Sequence, residues 1–356
     1  MQDINSMTLP EIEAAVRELG EPAYRAKQIF DWLQRAGVSD YDQMTNLPKS
    51  LRLKLYQKYD IFACTIEKKL ISEYDNTVKY LFKLHDGSFI ESVLMQYKYG
   101  YTLCVSTQVG CNMGCQFCAS TLSGKERDLT AGEILYQIHA AQQDQHVRVS
   151  HVVLMGMGEP LDNFDNVVRF LNLVSCEAGL NIGMRNLSLS TCGLVPQMDE
   201  LAALKFQLTL SVSLHAPNDE IRSRLMPVNR RWHVPELIDA CRRYIQATGR
   251  RISFEYAMIR GVNDSDACAV QLAELLKGML CHVNLIPVNA VRERGFVRSD
   301  RGRLQSFVRI LEQRGINVTV RRSLGSDINA SCGQLRRAHR AEIEREGDSN
   351  ANRSQD

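Results

Sequence analysis

The stretch TLCVSTQVGCNMGCQFC, Thr102 to Cys118, decides the fold and points at the chemistry. Its first residues, TLCVST (102–107), form a β-rich run, and the loop that follows carries Cys111, Cys115 and Cys118 at a three-then-two spacing. Three thiols so close together exceed what packing requires and wrap one loop around a metal centre. Zinc is the plainer occupant. A structural zinc takes four protein ligands, and the nearest following histidine, His139, falls in a helical stretch with no second Cys-x-x-Cys. A thioredoxin-like pair in CQFC leaves Cys111 unexplained. An iron–sulfur cubane normally takes four cysteines, so three leave one iron open to another ligand. Position at a strand's end favours the cluster.

Downstream, further β-rich runs follow: HVVLMG (151–156), NLSLST (186–191), QLTLSVSL (207–214), ISFEYAMI (252–259) and HVNLIP (282–287). Between them lie stretches of helical period at 131–145, 164–175, 234–247, 265–279 and 302–314. Such alternation predicts βαβ units and a parallel sheet, here six strands in an open, partial (β/α)6 barrel. A seventh run, INVTVRRS (316–323), leads into DINASCGQL (327–335). The reactive site is expected beyond the carboxyl ends of the strands.

Upstream, residues 8–60 read as a small helical unit. Leu9, Ile12, Val16 and Leu19 recur at helical spacing and Gly20 ends that helix. Tyr24, Ile29 and Trp32 are expected in its core, and Pro48 opens a last helix carrying Lys49, Arg52, Lys54 and Lys58 without an intervening acid. NTVKYLFKL (76–84) and SFIESVLM (88–95), joined at Asp86-Gly87, predict a β-hairpin.

The chain has 356 residues, 44% hydrophobic and 24% charged, enough apolar material for a sizeable core and too much for wholesale disorder. A net charge of +2 excludes a uniformly basic surface, though not a local basic groove. Eleven cysteines, an odd number, suit a reducing compartment rather than a secreted disulfide framework. MQDINSMTLPEIEAAV lacks a basic, apolar leader pattern, and no apolar run approaches the roughly 20 residues that span a bilayer. A cytoplasmic protein with no membrane association is expected.

The motifs carry a resemblance. CxxxCxxC with Phe117 before its last cysteine resembles the radical S-adenosylmethionine (radical SAM) superfamily. EPAYRAKQIFDWL, VSTQVGCNMGCQFC, MGMGEPLDN, LSTCGLVP, SVSLHAPNDEIR, LIPVN and SDINASCGQL are similar, in order and spacing, to the RNA adenine C2-methyltransferases, from about residue 8 to residue 336. The resemblance implies a radical-SAM partial barrel with a small N-terminal helical domain and a β-hairpin extension. It also implies a 4Fe-4S cluster on Cys111, Cys115 and Cys118 whose open iron chelates S-adenosyl-L-methionine and cleaves it reductively to a 5′-deoxyadenosyl radical. Such enzymes use two molecules of that cofactor per turnover and an external electron donor. They methylate a ribosomal RNA adenosine and, in some members, the transfer RNA adenosine beside the anticodon.

Site residues transfer one at a time. Gly158 and Glu159 match the family's cofactor-binding turn. Ser190, Ser213, Leu214, His215 and Asn289 match its other cofactor contacts, each near a strand's C-terminal end. Taken singly, each reads equally well as a turn residue or a satisfied polar group. Cys332 matches the methyl-carrying cysteine and Cys104 the thiol that forms a transient disulfide with it; by its apolar neighbours alone Cys104 is an inert core thiol. Glu91 matches a carboxylate with a proton-transfer role, where strand pattern alone predicts a solvent-facing residue. Cys64, Cys176, Cys192, Cys241, Cys268 and Cys281 are expected to serve packing. Asn329 and Ser331 stand where many relatives have Asp and Ala.

An unstacked adenine must reach the barrel mouth, so phosphate contacts are expected from Lys49, Arg52, Lys54, Arg321, Arg322, Arg336 and Arg337. The expected organisation is a helical RNA-binding accessory domain at 1–60 and a hairpin linker at 61–101. The partial barrel follows at 102–325, then the catalytic cysteine loop at 326–336 and a polar tail at 337–356. Lacking any surplus apolar helix, the chain is expected to be a monomer. The related enzymes that methylate adenine C8 and confer antibiotic resistance use the same cysteines, but GMGEPLDN and SLHAPND look more like the C2 enzymes. A non-catalytic zinc RNA-binding protein is the rival from another class.

Overall fold

The computed structural model describes residues 2–288, 295–322, 324–328, 335–336 and 339. A two-residue strand β1 (Gln2–Asp3) precedes the helices α1 (Leu9–Glu18), α2 (Tyr24–Asp31) and α3 (Lys49–Lys58), and β1 pairs in parallel with β2 (Tyr59–Asp60). Thr8 and Glu11 form a capping box at the start of α1, and Gly20, at φ +72°, ends its last turn. Ile12, Val16, Ile29, Leu51 and Leu55 are fully buried. Tyr24 departs from expectation: it lies 59% exposed, and Trp32 is only partly buried. On an eight-residue helix Ile29 and Phe30 already fill the inward stripe, which turns Tyr24 outward.

The predicted hairpin is part of a larger antiparallel sheet. β3 (Thr65–Ile71), β4 (Val78–Lys83), β5 (Phe89–Tyr97) and β6 (Gly100–Cys104) pair in sequence order. β3 escaped prediction because TIEKKLI is an exposed, lysine-bearing edge strand, the composition that protects an edge and weakens its β signal. β7 (Gln108–Gly110) and β8 (Lys125–Asp128) form a separate antiparallel pair around the cysteine loop.

From α4 (Ala131–Gln145) onward the alternation follows the sequence closely: β9 (Val149–Leu154), α5 (Phe164–Ser175), β10 (Leu187–Thr191), α6 (Val195–Ala203) and β11 (Thr209–Ser213). Then come α7 (Asp219–Leu225), α8 (Val234–Thr248), β12 (Ile252–Met258), α9 (Asp266–Leu276), β13 (Cys281–Pro287), α10 (Arg301–Gln313) and β14 (Val318–Val320). α6 and α7 are too short to show a helical period in sequence. β6, β9, β10, β11, β12, β13 and β14 pair in parallel in that order. The ten-stranded sheet ends on β14 at one edge and β3 at the other, so the barrel is partial, and the seventh run joins the six expected strands.

Side-chain alternation along these strands separates two environments. Leu103, Val152, Leu189, Val212, Phe254 and Leu285 face the helices and are buried in the main core. Ser190, Ser213, Glu255 and Asn284 take the other phase and face the barrel interior, where polar groups are concentrated. Asp3 fastens the N-terminal helices to this barrel by accepting the Thr130 hydroxyl (2.8 Å), and Ser6 Oγ accepts the Gly132 N–H (2.8 Å).

Candidate active site

The cysteine loop is braced from both sides. Cys111 donates its N–H to Gly124 O (3.0 Å), Asn112 Oδ1 accepts the Lys125 N–H (2.8 Å), and Gln116 N–H reaches Leu225 O (2.8 Å). The Thr121 hydroxyl donates toward the carbonyls of Cys115 and Cys118. Gly110 makes the clamp possible: at φ +81° it lies so close to Gly124 O that any Cβ would overlap it. Cys111, Cys115 and Cys118 all line one cavity of about 540 Å³ at the carboxyl ends of the barrel strands. Burial pushes the Cys111 thiol up to about 12 and raises Cys115 well above its usual range, so both need a cation to become thiolates. Among the described residues no three Cys, His, Asp or Glu side chains converge on a single ion position. Three thiols in one braced loop, lining a cavity with room beside them, are the donor set of a cubane that leaves one iron for another ligand. The residues fit a cluster.

The cofactor positions ring the same cavity. Gly158, at φ +106°, closes the turn after β9, and a Cβ there would come within 2.7 Å of Gln108 Cβ. The close approach that demands glycine is thus to Gln108 and Thr107 of the chain itself. Glu159 is buried, which raises its carboxyl, and it already accepts the N–H groups of Leu161 (3.0 Å) and Cys192 (2.8 Å). These bonds tie the end of β9 to the end of β10 and leave lone pairs for a ligand amine. Ser190, Ser213 and His215 line the cavity, whereas the Leu214 side chain is fully buried in the core, so any ligand contact there belongs to its backbone. Asn289 lies outside the described residues, although Pro287 and Val288 line the cavity beside it.

His215 has a definite protonation state. Its Nδ1 accepts the Ala257 N–H (2.9 Å), which places the proton of the neutral ring on Nε2. Burial, reinforced by the nearby Arg222 charge, lowers its pKa to about 3. Its ring meets Phe117 edge to face at 4.7 Å, linking the end of β11 to the cysteine loop.

Cys104 ends β6, is buried, and lines the cavity wall formed by Val93, Met95 and Tyr97 of β5. It stands opposite Val93, and Glu91, two residues before Val93, shares that face. Glu91 is fully buried, correcting the solvent-facing reading: its Oε2 pairs with Lys79 Nζ at 3.0 Å and its Oε1 accepts the Arg336 N–H at 2.7 Å. Cys332 lies outside the described residues, as do Asn329, Ser331 and Arg337, but the chain is fastened on both sides of it. Upstream, Asp75 accepts the Gly325 N–H (2.9 Å), and Asp327 accepts Ser72 Oγ (2.7 Å) and Glu73 N–H (2.9 Å). Downstream, Leu335 packs against Leu81 and Phe89.

Comparison with known proteins agrees with this geometry. Residues 105–276 match the radical SAM superfamily, and residues 2–61 match the ribosomal RNA large subunit methyltransferase N-terminal domain. A protein of Alkaliphilus oremlandii described as a "probable dual-specificity RNA methyltransferase RlmN" is 55% identical over 95% of this chain and 98% of its own. One of Desulforamulus reducens with the same description is 53% identical over 95% and 96%. The chain belongs to the RlmN family. The crystal structure of a radical SAM methyltransferase from Sphaerobacter thermophilus, 47% identical, covers 94% of this chain and 99% of its own with a TM-score of 0.89. RlmN proteins are radical SAM enzymes, with a 4Fe-4S cluster and S-adenosylmethionine as cofactors and two molecules of the latter per turnover.

Against an RlmN site the basic residues divide. Arg321 and Arg322 stand exposed at the cavity rim, and Lys49 is exposed on α3. Arg52 pairs with Asp42 (2.9 Å) and Lys54 with Glu21 (2.7 Å), so both brace the N-terminal helices. Arg336 departs from expectation: its side chain is buried and held by Glu126 at 2.6 Å, away from solvent phosphate. Among the six cysteines assigned to packing, Cys192 also lines the cavity. Arg222, Glu255 and Lys79 were missed: Glu255 and Lys79 are isolated charges inside apolar runs, which carry no periodic or motif signal, and Arg222 lies among the charges of DEIRSR, where nothing along the chain marks it as buried. Arg222 is fully buried and donates to four acceptors at the ends of β10 and β11 and in the turn after α7. Glu255 accepts from Asn284 (2.7 Å) and Ser253 (3.1 Å) on the cavity floor.

Proposed function

We infer that this S-adenosylmethionine-dependent RNA methyltransferase modifies C2 of an adenosine in 23S ribosomal RNA and of the adenosine beside the anticodon in transfer RNA. The observation that carries the reading is one cavity lined by Cys111, Cys115 and Cys118 on one side and Cys104 on another, with Leu324, Gly325 and Ser326, the approach to Cys332, at its rim. Adenine C2 is electron-poor and its hydrogen is not acidic, so direct displacement on a methyl donor by that carbon is unfavourable. When bound, the cluster and two cofactor molecules supply one methyl group and one hydrogen-abstracting radical.

The chain's own residues then divide the work. The Cys332 thiolate takes the methyl group, and the methylene derived from it bonds to C2. Glu91 accepts the C2 proton. Cys104 thiolate attacks the Cys332 sulfur, and the carbon–sulfur bond breaks with its electron pair going to the methylene carbon, which takes up a proton to become the methyl group. The adduct's unpaired electron leaves to an external redox partner, and a Cys104–Cys332 disulfide remains until an external reductant reopens it. Ser190, Ser213, Leu214, His215 and Asn289 hold the cofactor with Gly158 and Glu159. RNA phosphates meet Lys49, Arg321 and Arg322.

In this reading residues 1–60 are the RNA-binding accessory domain and 61–101 a β linker. Residues 102–325 form the barrel, 326–336 the catalytic loop and 337–356 a tail. No described helix is long and apolar enough to cross a membrane. In the same reading the protein works as a cytoplasmic monomer fed by an external electron donor. The test is incubation of ribosomal and transfer RNA with reductant and S-adenosylmethionine, followed by nucleoside mass spectrometry. 2-Methyladenosine in both RNAs is expected. 8-Methyladenosine, or a Cys332 peptide without the added methyl mass, would overturn the reading.

A further inference from the structure

The wall formed by β4, β5 and β6 hides an ion pair behind the candidate base. Lys79 stands opposite Val93 and Glu91 opposite Leu81, so the two charges are diagonal neighbours on one face of adjacent strands. Lys79 Nζ lies 3.0 Å from Glu91 Oε2, with side chains 1% and 0% exposed. The second carboxylate oxygen accepts the Arg336 N–H at 2.7 Å. Leu81, Phe89, Leu335 and Leu70 pack beside them. Among the described residues, the other charged or titratable groups at this face include Lys68, opposite Leu81 on β3, Lys83 and Tyr97 in the same phase of β4 and β5, Cys104, opposite Val93 on β6, Arg336 with its partner Glu126, and His339, which packs on Phe89 and pairs with Glu67.

A carboxyl group taken wholly out of water keeps its charge only when a cation or directed donors compensate the lost hydration; otherwise it takes a proton. A protonated Glu91 is useless as a base. Lys79 Nζ and the Arg336 N–H are directed donors of this kind, one to each carboxylate oxygen.

We propose that Lys79 is a positioning residue for RNA methylation: its ammonium pairs with Glu91 inside the wall beside Cys104 and fixes the direction from which the carboxylate takes a proton. The inference rests on the reading of Glu91 as the proton acceptor. In that step the C2–H bond of the protein-bound adenine adduct breaks, its electron pair stays with the adduct, and the proton passes to a Glu91 oxygen; no electron changes hands. The proton then leaves Glu91 before the next turnover. Methylation of Cys332 precedes this step and does not need Lys79.

The test uses the full-length enzyme, reconstituted anaerobically, as wild type, Lys79→Met, Lys79→Arg and Glu91→Gln. Peptide mass of Cys332 after incubation with S-adenosylmethionine alone should match wild type in both Lys79 variants. Single-turnover RNA methylation by Lys79→Met should fall about 100-fold at pH 7, the lower end of a general base's contribution. It should recover as pH rises, with a midpoint displaced upward by about one unit or more, while Lys79→Arg stays near wild type. A wild-type rate and midpoint in Lys79→Met, with Glu91→Gln inactive, would overturn the role of Lys79 alone. An active Glu91→Gln would overturn the reading of Glu91 itself. Should Lys79→Met fail to fold, the infrared difference spectrum of wild type against Glu91→Gln decides: a carboxylate band at pH 7 supports the proposal and a carboxylic acid band refutes it.

Discussion

Replacing Arg222 by methionine tests how the strand ends are held around the cofactor. The guanidinium is fully buried, and it donates Nε to Leu214 O (3.2 Å), Nη1 to Asn229 Oδ1 (2.9 Å) and Nη2 to Cys192 O (2.6 Å) and Ser213 O (3.2 Å). Methionine fills much of the same channel and makes none of these bonds. Four buried acceptors stripped at about 1 kcal/mol each, less about 1 kcal/mol regained by burying apolar surface in place of a cation, leave a loss of about 3 kcal/mol. At about 2 °C for each kcal/mol in a chain of this size, the melting temperature should fall roughly 6 °C. Arg222→Lys keeps the charge without the planar fork and should recover only part of the loss. Calorimetry of the apo-protein measures this, and equilibrium dialysis of S-adenosylmethionine against reconstituted protein should give a roughly tenfold weaker Kd, because Ser213, Leu214 and His215 lose their anchor. A methionine variant as stable as wild type, or lysine indistinguishable from arginine, would refute the account.

Burial lowers the pKa of His215 to about 3 and of His139 to about 4, below the ordinary unfolded value. The unfolded chain therefore binds more protons than the folded one between about pH 6.5 and 4, so stability falls as pH drops through that window and is flat above it. Urea unfolding at several pH values should show this slope, and His139→Gln should reduce it by about half, His215 supplying the rest; an unchanged slope would contradict neutral burial. Gly110→Ala drives a Cβ into Gly124 O at a φ of +81° and should open the β7–β8 clamp. The variant is expected to stay folded but to bind little iron on reconstitution, and normal iron content would argue against the clamp. Asp75→Ala with Asp327→Ala removes the upstream fastening of the Cys332 segment. Single-turnover RNA methylation should drop about tenfold while cofactor cleavage without RNA persists, and equal losses in both would indicate a general disturbance.

Much of this protein is legible along the chain because its chemistry is local. Cys111, Cys115 and Cys118 lie in one loop, so their spacing points to a metal centre, and the alternation from TLCVST to HVNLIP predicts the barrel strands and the longer helices within about three residues. Periodicity reads α5 end to end, since it is long and buries one stripe; α4 is read end to end as well, although its residues from Ala131 to Ala141 are buried on every side. The same logic fails for β3, a charged edge strand, and for α6 and α7, too short for a period to appear.

What only the tertiary structure decided are the contacts between residues far apart in sequence. Strand pattern puts Glu91 at the surface, yet the C-terminal segment covers it and Lys79 compensates it across a strand pair. Arg336 looks like a phosphate ligand until Glu126 claims it, and Arg52 and Lys54 are similarly taken by acids outside their own helix. The physical reason is common to all. A single charge has no periodicity, and whether it faces water, RNA or an opposite charge is set by what folds over it. Sequence names the groups capable of the chemistry, and the fold determines which of them are left available to perform it.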